Sequence, residues 1–163
     1  MKLTIISGRS GSGKSTVLHI LEDRGYYCID NLPASLLPAL ADRISNGDTH
    51  LSDIAVSIDA RNISADLQQA PEIISELQAR ELSTEIIFLD ANSQTLLKRF
   101  SESRRKHPLS NESTDLREAI DIESALLESI SMMANLVIDT SNMSLHQLRD
   151  LVKNRLLESS ETN

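Results

Sequence analysis

The chain has 163 residues, 40% of them hydrophobic and 2% aromatic, with a net charge of −8 at pH 7, a size and composition that suit one packed domain. The acidic balance and the scarcity of rings (two Tyr, two Phe, no Trp) argue against a basic RNA-binding surface or a base-stacking platform. A single cysteine, Cys28, excludes an intramolecular disulfide and a cysteine-built zinc site, and no apolar run is long enough to span a bilayer, so a cytoplasmic protein with a reduced thiol and no membrane partner is expected.

The first apolar run, Leu3-Thr4-Ile5-Ile6, reads as a strand. It leads into Gly8-Arg9-Ser10-Gly11-Ser12-Gly13-Lys14-Ser15, which matches the phosphate-binding pattern G-x-x-x-x-G-K-[ST] at every fixed position. Val17, Leu18 and Leu21 then share one helical face, so the motif stands in a strand, turn and helix setting. Its glycines let successive backbone N–H groups curl toward phosphate oxygens, and the helix start adds unpaired amides. Lys14 suits the β- and γ-phosphates, and the Ser15 hydroxyl suits Mg²⁺. A plain glycine turn would need neither side chain.

The run at 26–29 reads as a second strand, closing on Asp30-Asn31-Leu32-Pro33. Asp30 is open to two readings: a general base facing a phosphate acceptor, or a cap for the helix that follows. Leu36, Leu40 and Ile44 share the next helical face. The strand at 54–58 ends in Asp59, placed as the second magnesium-associated acid, and Ala60-Arg61-Asn62 follow within reach of phosphate or base. After a helix marked by Ile73, Ile74 and Leu77, the strand at 86–89 ends in Asp90. Asp90 competes for the same role, but Asn92 and Ser93 beside it favour a helix cap.

Leu96, Leu97 and Phe100 mark a further helix, and basic residues crowd at Lys98-Arg99 and Arg104-Arg105-Lys106-His107. Arg99 and Arg104 are the candidates to close over a triphosphate; the plainer reading is a solvated helix face. The stretch 107–115 reads as polar, turn-like and mobile. Leu116, Ala119, Ile120 and Ile130 give another helix, a strand at 136–138 ends in Asp139, and Thr140-Ser141-Asn142 could meet a purine edge. Leu145, Leu148, Val152 and Leu156 line a last helix, leaving a domain at 1–158 and a polar tail at 159–163. Strands alternating with helices predict a kinase-like P-loop NTPase fold: α/β/α in three layers, with a mostly parallel sheet of about five strands. Its strand-end aspartates would gather beside the phosphate loop. His19, His50 and His146 have no partner at metal-ligand spacing.

These segments together resemble the N-terminal nucleotide-binding domain of the RapZ/YvcJ family of bacterial RNase adapter proteins, almost end to end. The resemblance rests on Ile6 to Ser15, on Gly25-Tyr26-Tyr27-Cys28-Ile29-Asp30-Asn31-Leu32-Pro33, and on Val56-Ser57-Ile58-Asp59-Ala60-Arg61-Asn62. It continues through Phe88-Leu89-Asp90-Ala91, Ser103-Arg104-Arg105-Lys106-His107-Pro108-Leu109 and Val137-Ile138-Asp139-Thr140-Ser141. It implies ATP and GTP binding with weak hydrolysis, the nucleotide on residues 8–15, and a second, guanine-nucleotide element on Asp59, Ala60, Arg61 and Asn62. In the enteric branch such proteins bind small regulatory RNA and present it to an endoribonuclease, which tunes glucosamine-6-phosphate synthesis. Family members continue into a second domain that carries RNA binding, and this chain stops before it. RNA, endoribonuclease and homo-oligomer formation are therefore expected of the full-length protein. The expected catalytic set is Lys14, Asp59 and Arg104, with Ser15 and Asp59 as Mg²⁺ ligands. A small-molecule kinase using Asp30 as base, and a nucleotide sensor without turnover, are the rival expectations.

Overall fold

Five parallel strands form one sheet in the computed structural model of the protein, which describes residues 2–9, 11–45, 53–58, 64–80, 83–103, 109 and 115–161. In chain order the elements are β1 (Lys2–Gly8), α1 (Lys14–Asp23), β2 (Tyr27–Ile29), a 3₁₀ turn (Ala34–Leu36) and α2 (Leu37–Ser45). They continue with β3 (Asp53–Ile58), α3 (Ser64–Gln78), β4 (Ser83–Asp90), α4 (Ser93–Ser103), α5 (Leu116–Met132), β5 (Leu136–Asp139) and α6 (Leu145–Glu161). The sheet order is β2-β3-β1-β4-β5, and each neighbouring pair is parallel.

The central strands β1 and β3 are buried on both faces, and the apolar residues of the sheet sort by the period of two that a pleated strand imposes. Leu3 and Ile5 of β1, Ile54, Val56 and Ile58 of β3, and Ile86 and Phe88 of β4 face one layer. There they meet Leu37 and Ile44 of α2, Ile74 and Leu77 of α3, and Leu127 and Ile130 of α5. The alternate residues Ile6, Ala55 and Leu89 face Val17, Leu18 and Leu21 of α1 and Leu148 and Val152 of α6. A small third cluster of Ala91, Leu96 and Ile120 packs α4 on α5. The three-layer fold and all five strands agree with the sequence reading.

The chain leaves β1 toward β2 on one side of the sheet and leaves β4 toward β5 on the other. Opposed exits create a crevice at the carboxyl ends of those two adjacent strands, the usual ligand position in open α/β sheets. Gly8 and Leu89 are register partners at its floor.

Two local expectations change. Leu36 was expected on the buried face of α2 but belongs to the 3₁₀ turn and is 49% exposed, and Leu37 is fully buried in its place. The tighter turn shifts the helical phase by one residue. The polar tail was expected from 159, yet α6 continues through Glu161. Most of the turn-like stretch at 107–115 lies outside the described residues.

Candidate nucleotide-binding site

The site is built at the junction of β1 and α1. Gly8 has φ 149° and Gly13 has φ 112°, a region that residues with a Cβ rarely adopt. A Cβ at Gly8 would lie 2.1 Å from the Leu89 carbonyl oxygen, and one at Gly13 would lie 2.7 Å from Leu148. These positions accept glycine because β4 and α6 press directly on the turn.

The carbonyls of the loop are taken up partly from within it and partly by the elements around it. Arg9 O accepts from Ser12 N at 3.1 Å and from Ser12 Oγ at 2.6 Å. Gly11 O accepts from Arg99 Nη1 at 2.8 Å, and Ser12 O accepts from Thr140 Oγ1 at 2.8 Å. Lys14 Nζ reaches back over the loop to Gly8 O at 2.7 Å and Arg9 O at 3.2 Å. A glycine turn that runs into a helix start offers backbone N–H groups to an anion. The first N–H groups of a helix have no intrahelical acceptor, and the N-cap of α1, Gly13, supplies no side-chain cap. The positive end of the α1 dipole adds to the same point. Ser15, in the first turn of α1, is exposed there.

Arg9 differs from the expectation for it. It is 7% exposed, and its guanidinium is turned away from the curve of the loop. Nε donates to Asp90 Oδ1 at 2.8 Å, Nη1 to Ser93 Oγ at 3.2 Å, and Nη2 to the Ala91 carbonyl. Only its backbone remains positioned for phosphate. Asp90 is likewise not the cap of α4: Asn92 Oδ1 accepts from Thr95 N at 2.8 Å and fills that role, while Asp90 accepts from Arg9 and from Ala91 N. A polar cavity of about 520 Å³ opens beside this pair, lined among others by Ser93, Asp121, Ser124 and Glu128.

Asp30 also loses the cap reading. The N-cap of the 3₁₀ turn is Pro33, which makes no side-chain cap bond. Ser57 Oγ instead donates to Asp30 Oδ1 at 2.7 Å and accepts from Asn31 N at 2.6 Å, and Asn31 has φ 53°. The exposed Asp30 carboxylate is thus fixed over the end of β3, next to the strand that carries the loop. On the other side, Arg99 ties the loop to Thr140, and Ser141 Oγ donates to Asp139 Oδ1 at 2.6 Å. That bond, with the Ser141 backbone N–H and the Arg99 charge, holds the Asp139 carboxyl below its usual range.

Gly8, Gly11, Ser12, Gly13, Lys14 and Ser15 are thus brought together as expected. Asp59, Ala60, Arg61, Asn62, Ser10 and Arg104 lie outside the described residues. The sequence reading passed over Ser57 and did not foresee the inward Arg9. Ser57 had a visible signal, as the lone hydroxyl in the apolar run Ile54-Ala55-Val56-Ser57-Ile58. Ser7 ends the apolar run of β1, and its Oγ donates to Ile58 O at 2.7 Å. Among the described residues no group of His, Cys, Asp and Glu could hold a metal by itself, and no helix is long and apolar enough to cross a membrane.

Comparison with known proteins agrees with this geometry. A nucleotide-binding protein of Hahella chejuensis is 59% identical over 158 residues, covering 96% of this chain and 55% of the relative. One of Pseudomonas putida (strain GB-1) is 55% identical over 162 residues, covering 99% of this chain and 57% of the relative. The chain therefore spans little more than half the length of these relatives. Among solved structures, a shikimate kinase from Bacteroides thetaiotaomicron superposes with a TM-score of 0.60 at 14% identity, covering 98% of each chain. A sugar kinase from Janibacter sp. HTCC2649 gives 0.59 at 19% identity, over 97% of this chain and 93% of the other. At such identities the likeness establishes the P-loop kinase fold and no more. The family model of the RapZ-like N-terminal domain matches residues 1–160, and the chain belongs to that family of nucleotide-binding domains.

Proposed function

We propose that this domain binds ATP and GTP with Mg²⁺ on residues 8–15, turns them over slowly, and serves as a regulatory module of a longer protein. The observation that carries the reading is the loop itself: Gly11 and Ser12 carbonyls tied to Arg99 and Thr140, an α1 N-terminus with no side-chain cap, and Lys14 spanning the curve. An entering triphosphate would take the Lys14 ammonium from the Gly8 and Arg9 carbonyls and lie against the backbone N–H groups. Ser15 and Asp59 would hold the magnesium ion, which when bound offsets charge on the phosphate oxygens. Arg61 and Asn62, with Ala60, would complete the nucleotide contacts, and Arg104 would close over the phosphates.

The match to a family of nucleotide-binding domains supports slow hydrolysis and a regulatory role over a metabolic one. In the whole protein this role would be that of a cytoplasmic, homo-oligomeric adapter that binds small regulatory RNA and directs an endoribonuclease to it. The acidic charge of −8 supports placing RNA contacts outside this domain. The test is steady-state phosphate release from ATP and GTP with Mg²⁺. Turnover well below one per second, unchanged by added sugars or nucleosides, is expected; fast release or phosphate transfer to an added metabolite would overturn the regulatory reading.

One observation favours a second reading, a small-molecule kinase. Asp30 is exposed and oriented by Ser57 just after β2, and under this reading it would act as general base on an acceptor hydroxyl. Under that reading, Asp30→Asn abolishes transfer and leaves nucleotide binding intact.

A further inference from the structure

We propose that Arg9 and Asp90 form a positioning pair which sets the affinity of the loop for phosphate from outside the cradle. The proposal rests on residues 8–15 being the phosphate site, and it adds a role for a side chain that touches no phosphate. A loop with glycine at positions 8, 11 and 13 has much backbone freedom to lose on ordering. Two of its internal bonds, from Lys14 Nζ to the Gly8 and Arg9 carbonyls, must break when the ammonium turns to a triphosphate. The bonds from Ser12 N and Oγ to Arg9 O then hold residue 9 from within the loop, and a tie from its side chain would hold it to the sheet.

The Arg9 guanidinium is built for this. It is a planar fork of donors whose geometry is fixed once bound. Its nitrogens reach three acceptors at the β4 to α4 junction: Asp90 at the end of β4, the Ala91 carbonyl, and Ser93 at the start of α4. Asp90 completes the arrangement by accepting from Ala91 N with the same oxygen. The Arg9 side chain is 9% exposed and that of Asp90 40%, so the guanidinium is held in place while the carboxylate keeps contact with solvent. Removing either partner would leave the other poorly satisfied and let residue 9 move. A lysine, with one compact ammonium, cannot span these acceptors.

The experiment compares wild type, Arg9→Lys, Asp90→Asn, the double variant and Lys14→Ala. Each is titrated with inorganic tripolyphosphate, Mg²⁺–ATP and Mg²⁺–GTP, with the unfolding midpoint measured alongside. Each single variant at the pair is expected to weaken all three ligands by about tenfold or more, the scale of a small misplacement of contact groups. The double variant should be no weaker than the worse single one, because both remove the same link. Asp90→Asn keeps the shape of the side chain and carries the test if Arg9→Lys folds poorly. Wild-type affinity in folded variants, a lower unfolding midpoint without any loss of affinity, or losses that multiply in the double variant would overturn the pair. If those results come with lost binding in Lys14→Ala, the phosphate site stands and only the pair falls. If wild type binds none of the ligands, both fall.

Discussion

Gly8 is where the demands of β4 and of a ligand meet in one residue. Its hydrogen faces the Leu89 carbonyl because there is no room for a carbon, and its φ of 149° lies outside the range of ordinary residues. Gly8→Ala should therefore destabilise the fold by about 3 kcal/mol, combining overpacking with backbone strain, as read by chemical denaturation. Cys28 offers a second test at this scale. Burial, with a smaller contribution from Glu22, pushes its thiol up from 9.0 to about 11. The folded state thus holds this proton more tightly than the unfolded state. Its contribution to stability is complete below pH 9 and fades as pH rises toward 11. Cys28→Ser should flatten the stability profile in that window, and alkylation at pH 8 should be much faster in urea than in buffer. An alkylation rate unchanged by urea would contradict the account.

Among the elements, β3 and α5 show how polar side chains hold the layers in register. Ser57 joins β3 to the end of β2 through Asp30 and Asn31, and its own carbonyl accepts from Leu32 N. Ser57→Ala should cost about 1–3 kcal/mol, since the Asn31 N–H loses its acceptor. The start of α5 is capped by Asp115, whose carboxylate accepts from Glu118 N at 2.9 Å. Asp115→Ala should cost about 1 kcal/mol by the same measurement, with no effect on nucleotide affinity. The strands were legible in the sequence because each is a short apolar run, buried on both faces in the central β1 and β3, and the loop because its residue types are dictated by phosphate. The side-chain links were not legible. Asp90 and Asp30 both carry the local signature of a helix cap, and only the fold reveals that Asn92 caps α4 and that Asp30 belongs to Ser57. Arg9 could not be assigned because its partners lie more than 80 positions away.

For the whole molecule, the crevice follows from topology: β1 and β4 lie side by side while their connections leave in opposite directions. The loop after β1 then has β4, α4 and the turn after β5 as its walls, and Arg9, Arg99 and Thr140 hold it to them. A nucleotide entering there would bind against a loop already curved, with little left to order. The most direct test is a calorimetric titration of wild type and Lys14→Ala with ATP and GTP in the presence of Mg²⁺. Saturable binding by wild type, weakened by at least a hundredfold in a Lys14→Ala protein that remains folded, is the outcome expected if this ammonium meets the β- and γ-phosphates, at about 1.4 kcal/mol per tenfold. Equal affinity in the two proteins would place the nucleotide elsewhere and contradict the assignment of residues 8–15.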